Sequence, residues 1–245
     1  MKLEISLSPE AVFHLGSFPV TNSFLLMVGV TLFLIVCAVV LSRTLKLVPK
    51  GFQNGAEMIF ESALDFIDTI MNDEKKTRKV FPFVFSLFIF ILIANLVNFI
   101  PGQAALTINE GGKFVPVLRG VMADYGMVFV LTMISFITVQ IVGVAICGPF
   151  GYLGKFLNFK NPLNFFVGFL ELIGEFAKIL SLSFRLFGNI FAGEVLMSVF
   201  LFLFPFLLPL PFMFLELITA VIQAFVFAVL TLVFIKMAGE TAEEH

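Results

Sequence analysis

Residues 181 to 194 read Ser181-Leu-Ser-Phe-Arg-Leu-Phe-Gly-Asn-Ile-Phe-Ala-Gly-Glu194 and place one arginine, Arg185, in the middle of a lipid-soluble segment. A guanidinium stays charged at any physiological pH, so burial cannot neutralise it as it neutralises a lysine or a carboxylic acid. Placing it near a membrane midplane costs roughly 3 kcal/mol on insertion scales. That cost predicts a protein interface or a water-filled cavity around Arg185, and usually an ion pathway.

The composition places the chain in the membrane class. Of its 245 residues, 60% are hydrophobic and only 13% are charged, a balance that soluble domains of this size do not carry. The formal net charge of -2 is too small to indicate a nucleic-acid partner. Cys37 and Cys147 fall in apolar runs and are interpreted as small buried hydrophobes rather than as a disulfide pair.

The apolar runs predict an all-α polytopic membrane protein with one membrane domain over residues 1–245. We expect about five membrane-embedded helices. Three are ordinary spans, one is a long helix that begins with a proline, and one is a C-terminal helix: 18–42, 80–100, 125–147, 162–203 and 212–236. Residues 51–73 mix apolar and acidic side chains at helical spacing, which predicts one surface amphipathic helix. The N-terminal 17 residues and the polar loop 103–124 stay unassigned.

The long helix over 162–203 cannot stand upright in a bilayer. At about 1.5 Å per residue it would be roughly 60 Å long, about twice the hydrocarbon thickness. It must therefore be strongly tilted, or broken near Gly188 or Gly193. Prolines at 205, 209 and 211 then predict a turn, so that the long helix forms a hairpin with the C-terminal helix.

The distribution of Lys and Arg predicts an outside N-terminus and a cytoplasmic C-terminus. With that orientation, Lys178 and Arg185 lie within the membrane and only Lys2, Lys113 and Arg119 lie outside. The inner side then holds the other ten: Arg43, Lys46, Lys50, Lys75, Lys76, Arg78, Lys79, Lys155, Lys160 and Lys236.

Polar side chains cluster on one side of the long helix. At about 100° per residue, five of them share an arc of about 80°: Glu171, Glu175, Lys178, Arg185 and Asn189. Glu194 falls on another face, from which it could address a different compartment or the C-terminal helix. That last helix carries Glu216 and Gln223 on a stripe of its own, seven residues apart.

Each of these residues also has a structural interpretation. Lys178 and Glu175 could form a structural ion pair, Asn189 could pack helices, and Glu171 could simply face water near the inner boundary. For Arg185, Glu194 and Glu216 together a structural role is disfavoured, because three intramembrane charges are an expensive way to pack helices.

Other chemistry is absent from the sequence. No glycine-rich phosphate loop occurs, and no Cys/His cluster has the spacing of metal ligands. We therefore expect no catalytic residue, no metal and no cofactor, and no nucleotide site in this chain.

The motif Arg185-Leu-Phe-Gly-Asn189, with Glu194, Glu216 and the downstream Gln223-Ala-Phe, resembles subunit a of the F-type ATP synthase family. The resemblance is close over the C-terminal third, and the order of the preceding elements also fits. It implies a non-catalytic subunit with two aqueous half-channels, which carry protons to and from the carboxylates of a rotating c-subunit ring.

The resemblance also implies roles for individual residues. Arg185 matches the family's essential arginine, which faces the ring carboxylate. Glu194, Glu216, Asn189 and Gln223 match positions of the outer half-channel. Glu171 and Lys178 match positions toward the inner half-channel. The implied partners are the c-ring, the peripheral-stalk b subunits, the rest of the complex, the lipid bilayer and protons. The implied location is a bacterial plasma membrane, and no nucleic acid is involved.

Two alternatives of other classes stay open from the residues alone. One is a secondary transporter whose intramembrane arginine binds an anionic substrate, and the other is a structural membrane scaffold. A sodium-coupled synthase is a narrower variant, because sodium selection would reside mainly in the ring carboxylate site, which is not in this chain.

Overall fold

The computed structural model describes residues 11–15, 18–46, 51–99, 107–110, 113–116, 119–156, 162–203 and 209–240. This part of the chain contains six α-helices: α1 Asn22–Thr44, α2 Phe52–Met71, α3 Glu74–Val97, α4 Tyr125–Phe156, α5 Pro162–Leu203 and α6 Pro209–Glu240. Five of them, all but α2, contain a stretch long and apolar enough to cross a membrane. The predicted fold class, an all-α polytopic membrane protein, is confirmed.

Two short antiparallel hairpins occupy parts of the segments that the sequence left unassigned. Strands β1 (Ala11–Leu15) and β2 (Phe18–Thr21) pair with Leu15 opposite Phe18. Strands β3 (Thr107–Glu110) and β4 (Lys113–Pro116) pair with Glu110 opposite Lys113. Because β2 uses residues 18–21, the first span begins at Asn22 rather than at residue 18.

A tight junction joins the amphipathic helix α2 to α3. Asn72 adopts a left-handed conformation (φ 54°) that ends α2. Asp73 then caps α3, its side chain accepting hydrogen bonds from the backbone N–H groups of Lys75 and Lys76. Helix α3 begins at Glu74, so its first turns contain four basic residues that precede the predicted apolar span: Lys75, Lys76, Arg78 and Lys79.

Helix α4 extends beyond the predicted end at residue 147. It continues to Phe156 across a kink at Gly148, where φ is 71°. Glycine adopts this conformation without the clash that a Cβ atom would cause. Pro149 follows the kink, and proline is well tolerated in the first turn of a helix, so the chain resumes its helical path there.

Helix α5 runs from Pro162 to Leu203 as one helix through both Gly188 and Gly193. A continuous helix of roughly 60 Å exceeds the hydrocarbon thickness, which leaves the strongly tilted arrangement of the two that the sequence allowed. Helix α5 packs against α4 and α6, and α6 packs against α3.

The centre of this bundle is tightly packed. Eight residues of its described core have no exposed surface: Ile91, Ala94, Ala123, Val128, Leu186, Ala220, Ala224 and Phe227. The small alanines allow the helix backbones to approach closely, as is common in membrane bundles. The outer face of α1 is apolar and exposed, and it includes Cys37, a free cysteine. The prediction that Cys37 is buried is therefore wrong, and the side chain of Cys147 lies outside the described residues.

Candidate functional site

Arg185 lies on the exposed face of α5. Its Nη2 atom donates a hydrogen bond to the Oγ atom of Ser181, one turn earlier, at 3.3 Å. No carboxylate among the described residues lies within ion-pairing distance of the guanidinium. Exposed apolar side chains lie near it on α5, with Leu180 49% and Phe184 57% exposed, and the polar Ser181 and Asn189 are exposed one turn to either side. A permanent positive charge thus lies on an exposed and largely apolar face of α5.

The structure separates the two predicted amides. Asn189 is exposed and lies one turn after Arg185 on the same edge of α5. Gln223, on α6, is buried with only 6% of its surface exposed. Nearby, the Nδ2 atom of Asn95 on α3 donates a hydrogen bond to the backbone carbonyl of Ala220, at 3.2 Å. Asn189 therefore shares a surface with Arg185, whereas Gln223 lies inside the bundle close to α3.

Glu194 and Glu216 come together where α5 and α6 face each other. The Glu216 carboxylate occupies the space beside Gly193, so that a Cβ atom at position 193 would lie 2.5 Å from Oε1 of Glu216. Glu194 and Glu216 are close enough for their charges to interact. Two carboxylates in this position can take up and release protons as a coupled pair.

A cation from the loop before α4 completes this acidic pair. The Nη2 atom of Arg119 lies 3.9 Å from the Oε2 atom of Glu194, and the Arg119 side chain is only 15% exposed. Sequence reasoning counted Arg119 as an outside loop cation and missed this contact. No local pattern could have revealed it, because the two residues lie far apart in the sequence.

The segment that carries Arg119 is firmly packed. The 3-10 turn Val121–Ala123 contacts α1, α3, α4 and α5, and none of its three residues is more than 2% exposed. Gly120 lies against Asn98, the residue after α3, whose Nδ2 atom would be 2.6 Å from a Cβ atom at position 120. Asp124 accepts a hydrogen bond from the backbone N–H of Gly126 at the start of α4. The position of Arg119 is thus set by the bundle.

A second charged cluster joins α5 to α4 and α6. The Nζ atom of Lys178 donates to Oε1 of Glu175 at 2.7 Å, and the Nε2 atom of Gln140 on α4 donates to Oε2 of the same carboxylate at 3.1 Å. Lys178 also lies over the ring of Phe234 on α6, 5.1 Å from its centroid. This is the ion pair that the spacing of Glu175 and Lys178 predicted. The contribution of Gln140 was missed, because a single amide in an apolar span can satisfy itself locally or across helices.

A small cavity adjoins this cluster. Its volume is about 10 Å³, at the lower limit for a single water molecule. Residues from three helices line it, among them Glu175 and Lys178 of α5, Thr132 and Ser135 of α4 and Thr231 of α6. Glu171 is half-buried and lies two turns before Lys178 on the same arc of α5. The structure therefore gives α5 two separate charged regions, one on each side of Arg185.

The chain is similar to known proteins along most of its length. The family model described as ATP synthase A chain matches residues 23–236. Among curated proteins, ATP synthase subunit a of Moorella thermoacetica is 34% identical over 93% of this chain and 94% of its own length. The protein of the same name from Geobacter sulfurreducens is 33% identical over 89% and 88%. The one from Campylobacter jejuni subsp. doylei is 32% identical over 91% and 92%.

The fold and the charged residues on α5 and α6 define an integral membrane protein of the ion-translocating class. Together with these matches, they show that the chain belongs to the ATP synthase A chain family, whose members are the proton-translocating a subunits of F-type ATP synthase. The chain is therefore a component of that complex, and family membership decides against the secondary transporter and the scaffold.

Proposed function

We propose that the chain forms two aqueous half-channels that meet a ring of c subunits at Arg185. Protons enter through one half-channel, load a ring carboxylate, travel around with the ring and leave through the other. The chain takes no part in nucleotide chemistry. The observation that carries this proposal is the exposed guanidinium of Arg185 on an apolar face, without a described carboxylate in ion-pairing distance.

The physical role of Arg185 follows from its permanent charge. A guanidinium opposite a ring carboxylate favours the ionised form of that carboxylate, so the proton leaves before the carboxylate passes Arg185. The same charge repels a proton that would cross directly from one half-channel to the other. Proton flow is then possible only by rotation of the ring.

The outer half-channel contains Glu194, Glu216, Asn189 and Gln223. Support comes from the position of the Glu216 carboxylate against Gly193, the residue before Glu194, and from the polar residues around them. The Oδ1 atoms of Asn95 and Asn98 are buried and have no protein hydrogen-bond donor among the described residues. Buried acceptors of this kind are typical binding sites for water, as an aqueous path requires.

The inner half-channel contains Glu171 and Lys178. Lys178 is 27% exposed at its side chain and lies beside the small cavity, next to Glu175 and Gln140. The Lys and Arg distribution supports a cytoplasmic location for this side, with the N-terminus outside and the C-terminus inside a bacterial plasma membrane. The peripheral-stalk b subunits are further partners in this assignment.

Cysteine cross-linking tests whether this face of α5 meets the ring. In a background with Cys37→Ser and Cys147→Ser, Asn189→Cys should form disulfides with cysteines along the outer helix of the c subunit. Val36→Cys is the matched control, because Val36 is 59% exposed but lies on α1, a helix that packs against α3 rather than carrying the charged residues. Cross-links from both positions, or from Val36→Cys alone, would contradict the assignment of the ring-facing surface.

A further inference from the structure

Arg119 is buried to an extent that an ordinary loop cation is not. The exposed pair Arg78–Glu74 provides a comparison within the same chain: its side chains are 69% and 72% exposed, and its atoms are 2.8 Å apart. Arg119 is 15% exposed, and its partner Glu194 is 37% exposed. Surface pairs such as Arg78–Glu74 contribute little, whereas a pair with less access to solvent interacts more strongly.

The geometry of the Arg119–Glu194 contact is electrostatic rather than a hydrogen bond. A charged N–H···O bond is about 2.7–2.9 Å long, and 3.9 Å is well beyond that. The guanidinium therefore stabilises the carboxylate charge without tying up the Oε2 atom in a short bond. Glu194 can then accept and release a proton while its counter-charge stays in place.

The acidic pair lies where such a counter-charge can act on it. Glu194 is faced by Arg119 from the loop and by Glu216 from α6, and Arg185 lies two and a half turns earlier on another edge of its own helix. Each of two neighbouring, partly buried carboxylates disfavours the ionised form of the other, and a nearby cation offsets this effect. An arginine serves this purpose whatever the protonation state of the acids, because it does not lose its own charge.

We propose that Arg119 is a positioning residue for proton transfer, whose guanidinium holds the ionised Glu194 carboxylate at the contact between α5 and α6. It acts through Glu194, and this inference rests on the proposed role of Glu194 in the outer half-channel. The packed turn Val121–Ala123 and the close approach of Gly120 to Asn98 keep the guanidinium at this place.

The test is ATP-driven proton pumping by inverted membrane vesicles that carry the complete complex, with the amount of assembled complex measured in parallel. Arg119→Gln should lower pumping per assembled complex roughly tenfold, the equivalent of losing one partly buried charge interaction. Arg119→Lys should restore at least about half of the wild-type rate, because it returns the charge. Arg78→Gln is the matched control and should pump normally.

A double variant tests whether Arg119 affects proton pumping through Glu194 or independently of it. In a Glu194→Gln background, Arg119→Gln should cause no further loss, since the carboxylate that it compensates is gone. A further loss in that background would overturn the inference, and so would normal pumping by Arg119→Gln. Loss of assembly in proportion to pumping would also overturn it, because Arg119 would then be structural. If Glu194→Gln leaves no measurable pumping, the Arg119→Lys variant is decisive: recovery of pumping supports the inference, and a loss as large as that of Arg119→Gln overturns it.

These outcomes distinguish the inference from the function on which it rests. Normal pumping by Glu194→Gln would remove Glu194 from the outer half-channel and contradict the proposed function itself. Slow pumping by Glu194→Gln together with normal pumping by Arg119→Gln would leave the half-channel intact and overturn only the role of Arg119.

Discussion

Gly193 of α5 lies directly against the carboxylate of Glu216 on α6, where a Cβ atom would be 2.5 Å from Oε1. The α5–α6 contact is therefore shaped around this carboxylate, and the residue before Glu194 has to be small. The Glu216 side chain has flexible torsions, so that a methyl group would displace its carboxylate rather than prevent the helices from packing.

Gly193→Ala should slow proton transfer while the complex still assembles. We expect a loss of roughly tenfold in ATP-driven pumping, since a displacement of about 1 Å at a reacting group can cost up to about a hundredfold. Gly29→Ala on α1 is the control, because nothing lies within 4 Å of its Cβ position. A Gly193→Ala variant that pumps like Gly29→Ala would mean that the position of Glu216 does not limit proton transfer.

Variants of Lys178 and Glu175 test whether this ion pair supports assembly of the complex or proton transfer on the inner side. Lys178→Met leaves Glu175, whose side chain is 9% exposed, without its cation, and should destabilise the complex by about 2 kcal/mol, less than for a fully buried pair. Adding Glu175→Gln should restore assembly, because a neutral amide can still bond to Gln140. The amount of complex in membranes measures this recovery.

Pumping by the same double variant tests the inner half-channel. If Lys178 lies in the proton path, the assembled double variant should still pump several-fold slower than the wild type. A full recovery of both assembly and pumping would show that Lys178 and Glu175 form only a structural pair.

The two amides of the outer half-channel should differ in their access to water. In the background without Cys37 and Cys147, Asn189→Cys should react with silver ions and with larger thiol reagents. Gln223→Cys should react only with silver and slowly, because Gln223 is 6% exposed. Ala224→Cys, at a fully buried position on the same helix, should stay unreactive. Inhibition of pumping reports the reaction, and inertness of both amide positions would argue against a water-filled half-channel there.

The sequence predicted a long helix over 162–203, because Pro162 marks a first turn and no other proline interrupts the apolar run; α5 spans Pro162–Leu203 in the part of the chain that the structure describes. The same helical periodicity placed Arg185 and Asn189 on one edge, and it predicted the pairing of Glu175 with Lys178. Local spacing was sufficient in these cases because all the contacts lie within one helix.

Local spacing in the sequence could not predict contacts between segments that are distant along the chain. The approach of Arg119 to Glu194 depends on a packed turn whose burial comes from four helices, and nothing in the residues around Arg119 shows that packing. The end of α4 was misjudged for a different reason. Gly148-Pro149 is a typical terminating sequence, yet a glycine at φ 71° followed by a first-turn proline also permits a kinked helix to continue.

The central claim is that Arg185 lies at the junction between the ion path and the rotor. ATP-driven proton pumping by vesicles with Arg185→Ala and Arg185→Lys, at measured levels of assembled complex, tests it most directly. We predict that both variants assemble and that neither pumps, since lysine lacks the planar guanidinium and can lose its charge. Normal pumping by either assembled variant would contradict this role and leave Arg185 as a structural charge.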